Sequence, residues 1–444
     1  MMNKRNWLKT YSKYTLFIFS VMAAPVVQAQ DTAKKLVLQD AIKMAIEQNL
    51  QIALAKKDEQ IAQSQYKQTE AIWLPQVNLS YSGFLTNQPL SAFGFKLQQS
   101  ALKQSDFDPA ILNKPAGTTN IVTQLSVQQP LYNPDRSYMS KAAAKQTEMY
   151  GFQTQRTQDA VIMQVTNAYL QLEFSYEVVK VLEDALKTIE DIYRFTNDRY
   201  QQGLLQKSDL LNVAVQVKAA ETNLAEATSQ IITMSDQLGL LMNSIHDVVY
   251  KTLPVVIETT NTMDSVPANR ADVKAMQTAM AAYDLAIKST KMSTLPKLNA
   301  FANYQLNDKK LFGFGANGYM AGLQISWDIF KGNQSKNKMA TQVLEKSKIQ
   351  QQLENNIAQD AVAIRKTKRQ LSDVEYRISQ QLLAVASASE SQRITQNRYS
   401  QGLVNTTDVL SVQTQLAQQK MLYEQAIFTK KTIITYLNFL TTVK

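Results

Sequence analysis

Two stretches of this chain run for about 67 residues each with almost nothing in them to stop a helix, enough for rods of ~100 Å at about 1.5 Å of rise per residue. Between Pro134 and Tyr200 there is no further proline and a single glycine, Gly151; between Gly332 and Tyr399 there is neither. Globular helices average about 11–12 residues, so the fold must be organised around these rods. Breakers are scarce everywhere: 12 glycines and 10 prolines in 444 residues, roughly half the usual share.

The rods are copies of one another. Arg199, Tyr200, Gly203, Leu204, Asp209 and Leu211 recur as Arg398, Tyr399, Gly402, Leu403, Asp408 and Leu410, six matches at one offset of 199. Upstream the register persists as a heptad: Val165, Leu172, Val179, Leu186, Tyr193 and Tyr200 match Ile364, Leu371, Ile378, Val385, Gln392 and Tyr399. An apolar residue every seven positions is a coiled-coil seam. Each rod ends at a Gly-Leu pair placed as a helix C-cap. Ser208 and Thr407 follow as N-caps, with Asp209 and Asp408 near the positive start of a returning helix. Two antiparallel hairpins are predicted, over 209–243 and 408–440 on their returning sides, with like tips at one end.

Shorter helical patterns at 38–73 and 270–294 stop at Leu74-Pro75 and Leu295-Pro296. Four segments then alternate with period two. Val77, Leu79 and Tyr81 follow Pro75; Ile121, Thr123, Leu125 and Val127 precede Pro130. Leu298, Ala300, Ala302 and Tyr304 follow Pro296; Ala321, Leu323, Ile325 and Trp327 precede Phe330. The intervening positions are largely polar, Phe301 and Met320 excepted. Each segment is about ten residues, the length of a strand that crosses an outer membrane. Tyr81, Tyr132, Tyr304, Trp327 and Phe330 are positioned as an aromatic girdle. Two hairpins of a water-soluble sheet would give the same alternation.

Residues 1–29 read as a signal peptide: Lys4, Arg5, Lys9 and Lys13, an apolar run from Tyr14 to Ala24, then Val27-Gln28-Ala29. Residues 30–243 form a first repeat, with strands at about 76–85 and 120–131 and a tip at about 201–208. Residues 244–268 link it to a second repeat at 269–444, with strands at about 297–306 and 319–330 and a tip at about 400–407.

Composition excludes several functions. With no cysteine and one histidine, His246, the chain has no disulfide framework, no cysteine nucleophile and no soft metal site. No catalytic constellation stands out, so the chain is not read as an enzyme, and neither cofactor nor metal is expected. The formal charge of +10 falls to +6 once the leader's four basic residues are removed, which makes no case for nucleic acid. Gly313-Phe314-Gly315-Ala316-Asn317-Gly318 matches a dinucleotide fingerprint, but it lies between two strands with no helix after it. Arg365, Lys366, Lys368 and Arg369 flank the heptad residue Ile364 and read as a solvated helix face.

Four strands cannot close a barrel, and open edges are not tolerated in hydrocarbon. The chain must therefore pool strands with copies of itself. Two copies give a barrel filled by side chains, and three give a 12-stranded one wide enough for water. The polar alternate faces favour three.

These motifs resemble the TolC-type outer-membrane efflux proteins over nearly the whole mature length. Leu36-Val37-Leu38-Gln39-Asp40-Ala41-Ile42 with Ala45 and Asn49 opens the resemblance, although Leu50 stands where the family usually has proline. Leu74-Pro75, Gln129-Pro130-Leu131-Tyr132, Arg270-Ala271-Asp272-Val273 and the two Arg-Tyr-x-x-Gly-Leu turns continue it. Leu90–Leu97 and Asp106-Phe107 resemble the first outer loop of one branch. The resemblance implies a mainly helical fold with a membrane β-barrel, four strands per chain and twelve in a homotrimer, continued as an antiparallel coiled-coil tunnel. It implies the passive exit channel of a tripartite efflux or type I secretion system in the outer membrane of a Gram-negative bacterium. Its partners would be a periplasmic adaptor (membrane fusion) protein, an inner-membrane pump of RND or ABC type, and outer-membrane lipid. The alternative reading is a periplasmic coiled-coil adaptor or scaffold, which shares hairpins but lacks four membrane-length strands.

Mapped through the turn motif, Asp408 matches a ring aspartate at the pore entrance. Asp209 and Tyr399 match partners in a closing network, and Ser208 a hydroxyl position. A second ring acid falls at Ser411 and a gating arginine at Val404, so both are missing here. The plainer reading of Asp209 and Asp408 is that carboxylates favour helix N-termini. Gly203, Leu204, Gly402 and Leu403 are the expected adaptor-binding tip, against the plainer reading of C-cap closure.

Overall fold

The computed structural model describes residues 33–244, 248–259 and 265–443; the expected signal peptide at 1–29 and His246 lie outside them. In chain order the elements are β1 (Lys34–Leu36), α1 (Leu38–Gln48), α2 (Leu50–Ala71), β2 (Gln76–Thr86), α3 (Pro89–Gln98), a 3-10 turn (Gln104–Phe107), α4 (Pro109–Asn113) and β3 (Thr118–Tyr132). Then come α5 (Pro134–Gln201), α6 (Lys207–Leu241), β4 (Tyr250–Thr252), α7 (Ala271–Met292), β5 (Lys297–Asp308), β6 (Ala316–Ser326), α8 (Gln334–Ser400) and α9 (Thr406–Thr441). The rods α5 and α8 are 68 and 67 residues long, about 100 Å each. Each runs from the sheet to a tip and returns as α6 or α9.

The chain divides α1 from α2 at Asn49, whose side-chain oxygen caps α2 by accepting from the backbone N–H of Gln51 (2.8 Å) and Ile52 (3.4 Å). Its amide donates to the carbonyl of Leu241 at 2.7 Å, tying the cap to the end of α6. Around this point lies the main core, built from Ala41, Ala45, Ile52, Val161, Val165, Tyr169, Leu172, Leu238, Met242 and Tyr250. The heptad residues Val165 and Leu172 are completely buried in it.

The segment expected only as a linker adds a strand to this core. β4 pairs in parallel with β1, Lys34 opposite Tyr250 and Leu36 opposite Thr252. The Tyr169 hydroxyl accepts from the N–H of Leu253 at 2.8 Å and lies 3.0 Å from the carbonyl of Leu36. Tyr176 donates to the carbonyl of Tyr250 at 2.9 Å.

A second junction joins the halves. Arg270, 1% exposed, grips Asp272 with two bonds of 2.7 Å, pairs with Asp360 on α8, and donates to the carbonyl of Leu440 on α9 at 3.0 Å. The Arg156 guanidinium of α5 lies 3.7 Å from the centre of the Phe439 ring and donates to that residue's carbonyl at 3.1 Å. Burial would raise the Asp272 pKa, but bonds to Arg270 and the charges of Arg270 and Arg156 hold it below the ordinary carboxylate value. Burial likewise disfavours the Arg270 cation, and the two aspartates overcome it, so its pKa rises.

β2, β3, β5 and β6 make one antiparallel sheet in that order. Its central pair, β3 with β5, joins the two repeats, so β2 and β6 are the free edges. Val77 faces Val127, Leu79 faces Leu125, and Leu125 faces Tyr304. One face therefore gathers the apolar series, and it is exposed: Val77 is 64%, Leu79 69%, Leu323 68% and Ile325 73% accessible. The other face carries Gln124, which accepts from Gln305 at 2.8 Å. Phe301, the exception in the polar series, lies over Gly322, where an added Cβ would stand 3.1 Å from the ring. A ring is accommodated because the opposite residue has no side chain. β6 starts earlier than its alternation suggested and ends at Ser326, short of Trp327 and Phe330. Beyond it Trp327 donates to the carbonyl of Thr294 at 2.9 Å, and Lys331 pairs with Asp328 at 2.5 Å; these contacts turn the chain out of the ladder.

Candidate functional site: the hairpin tips and the apolar sheet face

The two tips are built alike. Gly203 and Gly402 have φ of 74° and 79°, the left-handed region that glycine enters without strain. The N–H of Leu204 donates to the carbonyl of Arg199 and that of Leu403 to Arg398, both at 2.9 Å. Both leucines then project outward, Leu204 63% and Leu403 68% exposed.

The returning helices are capped two residues earlier than expected. Gln206 and Asn405 are the N-caps, and Asp209 and Asp408 reach back from the third residue of each helix. Asp209 accepts from the N–H of Gln206 at 3.2 Å, and Asp408 from that of Asn405 at 3.3 Å. A carboxylate reaches the orphan N–H from the third helical position, which leaves Ser208 and Thr407 inside the first turn. Ser208 donates to the Gln206 side chain at 3.4 Å. Both carboxylates thus have a local structural task; Asp408 remains exposed beyond it.

Tyr399 is 3% exposed and ties the hairpins together. Its hydroxyl lies 2.7 Å from the Thr196 hydroxyl on α5 and 3.1 Å from that of Thr406 on α9. Thr196 spends its own proton on the carbonyl of Ile192 at 2.7 Å. The direction is then fixed: Thr406 donates to Tyr399, Tyr399 to Thr196, Thr196 to the α5 backbone. Within the chain the hydroxyl partners of Tyr399 are these two threonines. Its ring packs 5.1 Å from Phe195, and Ile189, Ile192, Val213 and Val409 complete a small core. Arg199 lies 4.7 Å from the centre of Phe195 and donates to the carbonyl of Ser400 at 2.9 Å. Thr196 and Thr406 were not singled out from the sequence, since nothing local distinguishes a threonine that will face another helix; Arg199 was marked by the repeated turn, but not its contact with Ser400. Val404 is half-buried beside this core and Ser411 is exposed.

At the other end, Tyr132, Trp327 and Phe330 lie where strands meet rods and are 54%, 58% and 79% exposed. Tyr81 and Tyr304, both 44% exposed, sit within the strands, nearer the loops. Tyr81 stacks on Phe312 at 5.8 Å and accepts from its N–H at 2.9 Å. The first loop folds as α3 and α4, pinned by Lys96 with Asp106 at 2.8 Å and by Phe93 against Phe107. In the second loop Asp308 accepts from the N–H groups of Lys310 and Gly315, both at 3.0 Å. A Cβ at Gly313 would stand 2.3 Å from the Asp308 carboxyl carbon, so those glycines serve a turn and not a nucleotide.

Among the described residues no helix is long and apolar enough to cross a membrane, and no three histidine, aspartate or glutamate side chains come together as a metal site.

No curated protein matches the chain by sequence. Among solved structures, the Campylobacter jejuni CmeC outer membrane channel is 15% identical, with a TM-score of 0.74 over 91% of this chain and 85% of that one. The Vibrio cholerae outer membrane protein VceC is 16% identical, with a TM-score of 0.71 over 91% and 95%. The Neisseria gonorrhoeae MtrE outer membrane channel, in its open state, is 15% identical, with a TM-score of 0.70 over 92% and 89%. At such identities the likeness shows the fold. The outer membrane efflux protein family model matches residues 41–244 and 263–427. It covers both repeats, each with its tip and its strands, and the chain belongs to the outer membrane efflux protein family of TolC-type channels.

Proposed function

We propose that the chain is one protomer of a homotrimeric channel in the outer membrane. It would be the passive exit duct of a tripartite efflux or type I secretion system, with its rods in the periplasm. The observation that carries this is the open four-stranded sheet, apolar and exposed on one face, polar on the other, with two free edges. Bilayer hydrocarbon tolerates the first face and forbids the edges. Three copies supply twelve strands, a barrel with room for water, and six hairpins to continue it. The same sheet weighs against a periplasmic adaptor, whose hairpins need no apolar sheet face.

Three copies of Asp408 around an axis would attract cations and repel one another, giving the entrance a charge preference. The exposed Leu204 and Leu403, held out by Gly203 and Gly402, are proposed to meet a periplasmic adaptor and through it an inner-membrane pump. Ser208 and Asp209 would flank that contact, and Tyr399 would hold the closed tip from behind. No cofactor or catalytic step is involved.

The test is the mass of the detergent-solubilised mature protein together with its behaviour in planar bilayers. A trimer that conducts, with cation preference reduced in Asp408→Asn, is expected. A monomer stable in water without detergent would sink the channel; an unchanged preference would remove the aspartate ring alone.

A further inference from the structure

The two loops at the outer end of the sheet fold to opposite sides of it. Phe84 and Asn120 face each other on the side that carries Gln124, and the first loop settles there. Phe95 of α3 packs 6.1 Å from Phe84, and Gln99 donates to the Asn120 side chain at 2.9 Å. Tyr81 lies on the other side, in one series with Val77 and Leu79, and it is the second loop, 309–315, that reaches it. Phe312 stacks on the Tyr81 ring at 5.8 Å, and its N–H donates to the hydroxyl at 2.9 Å. Tyr81 is opposite Thr123, and Thr123 opposite Leu306, so the loop crosses β3 to get there. The apolar side of β3 bears the mark of that crossing. Ile121 is 5% exposed and the Thr123 hydroxyl is shut off from solvent, while Leu125, the next residue on that side, is 40% exposed.

The second loop therefore lies over the apolar face. Its shape is fixed from within, by the Asp308 carboxylate on the N–H groups of Lys310 and Gly315, both at 3.0 Å. What it turns outward is of two kinds. Leu311, Phe312 and Phe314 are 71%, 79% and 57% exposed, a cluster of large apolar side chains that the chain itself does not cover. Lys309 and Lys310 are exposed beside them, and the nearest carboxylate in sequence, Asp308, is spent on backbone. Tyr304 and Tyr319 face each other on the same side of the sheet, one row nearer the rods than Tyr81. The loop thus continues the apolar face at its outer rim and adds positive charge there.

We propose that this loop is a lipid-binding hook for an anionic, phosphate-bearing lipid of the outer leaflet. Leu311, Phe312 and Phe314 lie among its acyl chains, and Lys309 and Lys310 take its phosphate groups. Aromatic rings settle at the headgroup level of a bilayer, and a lysine beside apolar surface extends its ammonium towards charged headgroups. A lipid without net charge would leave both lysines without a counter-ion. A soluble anion would leave three large apolar side chains in water. A phosphate carried on acyl chains satisfies both sets at once.

This inference rests on the outer-membrane channel reading, and the test separates the two. Lipid A is the probe, and native mass spectrometry of the detergent-solubilised mature protein counts the molecules retained. Wild type should hold lipid A and release phosphatidylcholine. Lys309→Gln with Lys310→Gln should weaken retention about 30-fold, about fivefold for each lysine. Leu311→Ser with Phe314→Ser, which keeps both charges, should weaken it by about tenfold or more. All four side chains are exposed, so oligomer mass and conductance should stay as in wild type. Wild-type retention by either variant overturns the hook while leaving the channel. Equal retention of phosphatidylcholine overturns the selection by charge, and displacement of lipid A by inorganic phosphate alone overturns the lipid as occupant. A monomer stable in water without detergent overturns both readings.

Discussion

Arg270 shows how one residue can hold two halves of a chain together. It is buried, paired twice, and bonded to the carbonyl of Leu440. Removing one of its two carboxylates leaves the buried guanidinium with Asp360 alone, at a cost of about 1–3 kcal/mol. Asp272→Asn should therefore lower the thermal midpoint at neutral pH by several degrees, read by circular dichroism in detergent. The sign of the pH effect follows from the depressed Asp272 pKa. Its contribution is fully present above the unfolded carboxylate value of about 3.9 and is lost as pH falls through the lower folded value. Wild type should lose stability more steeply than Asp272→Asn below about pH 4; parallel curves would show that the pair contributes nothing. The sequence marked Arg270-Ala271-Asp272-Val273 as the opening of the second repeat but could not show Asp360 or Leu440 beside it, because those contacts span 90 and 170 positions.

The elements themselves were legible, for reasons that differ by type. The rods could be read because breakers are absent and the heptad repeats. Strands β2, β3 and β5 could be read because apolar residues alternate between prolines. β1 and β4 could not, since three residues carry no period, and the end of β6 could not, since Trp327 and Phe330 continue the apolar trend after pairing has stopped. The tip turns were legible through their glycines, whose surroundings nevertheless differ. A Cβ on Gly203 meets nothing within 4 Å, whereas one on Gly402 would stand 2.8 Å from the Arg199 guanidinium. Gly203→Ala should cost about 1–2 kcal/mol through its left-handed backbone alone. Gly402→Ala should cost that and displace Arg199 from the Ser400 carbonyl, which adds about 1 kcal/mol. Melting the two variants side by side checks the order, and equal midpoints would mean that Arg199 adds no stability.

At the scale of the whole molecule, one protomer carries an apolar sheet at one end and paired, outward-pointing leucines about 100 Å away. If those leucines meet an adaptor, Leu204→Glu with Leu403→Glu should abolish export while leaving trimers in the membrane. Export at the wild-type level would release the tip from that role. The proposal of a barrel and a trimer rests on strand arithmetic, since the four-stranded sheet of one chain has two free edges. The tip network was hidden more deeply: Thr196 and Thr406 look like ordinary helix-surface residues until two hairpins are laid together.

The link from Tyr399 to Thr196 and from Arg199 to Ser400 has a mechanical consequence. Two hairpins fastened to each other near their ends share any sideways load, so neither can bend far without drawing the other along.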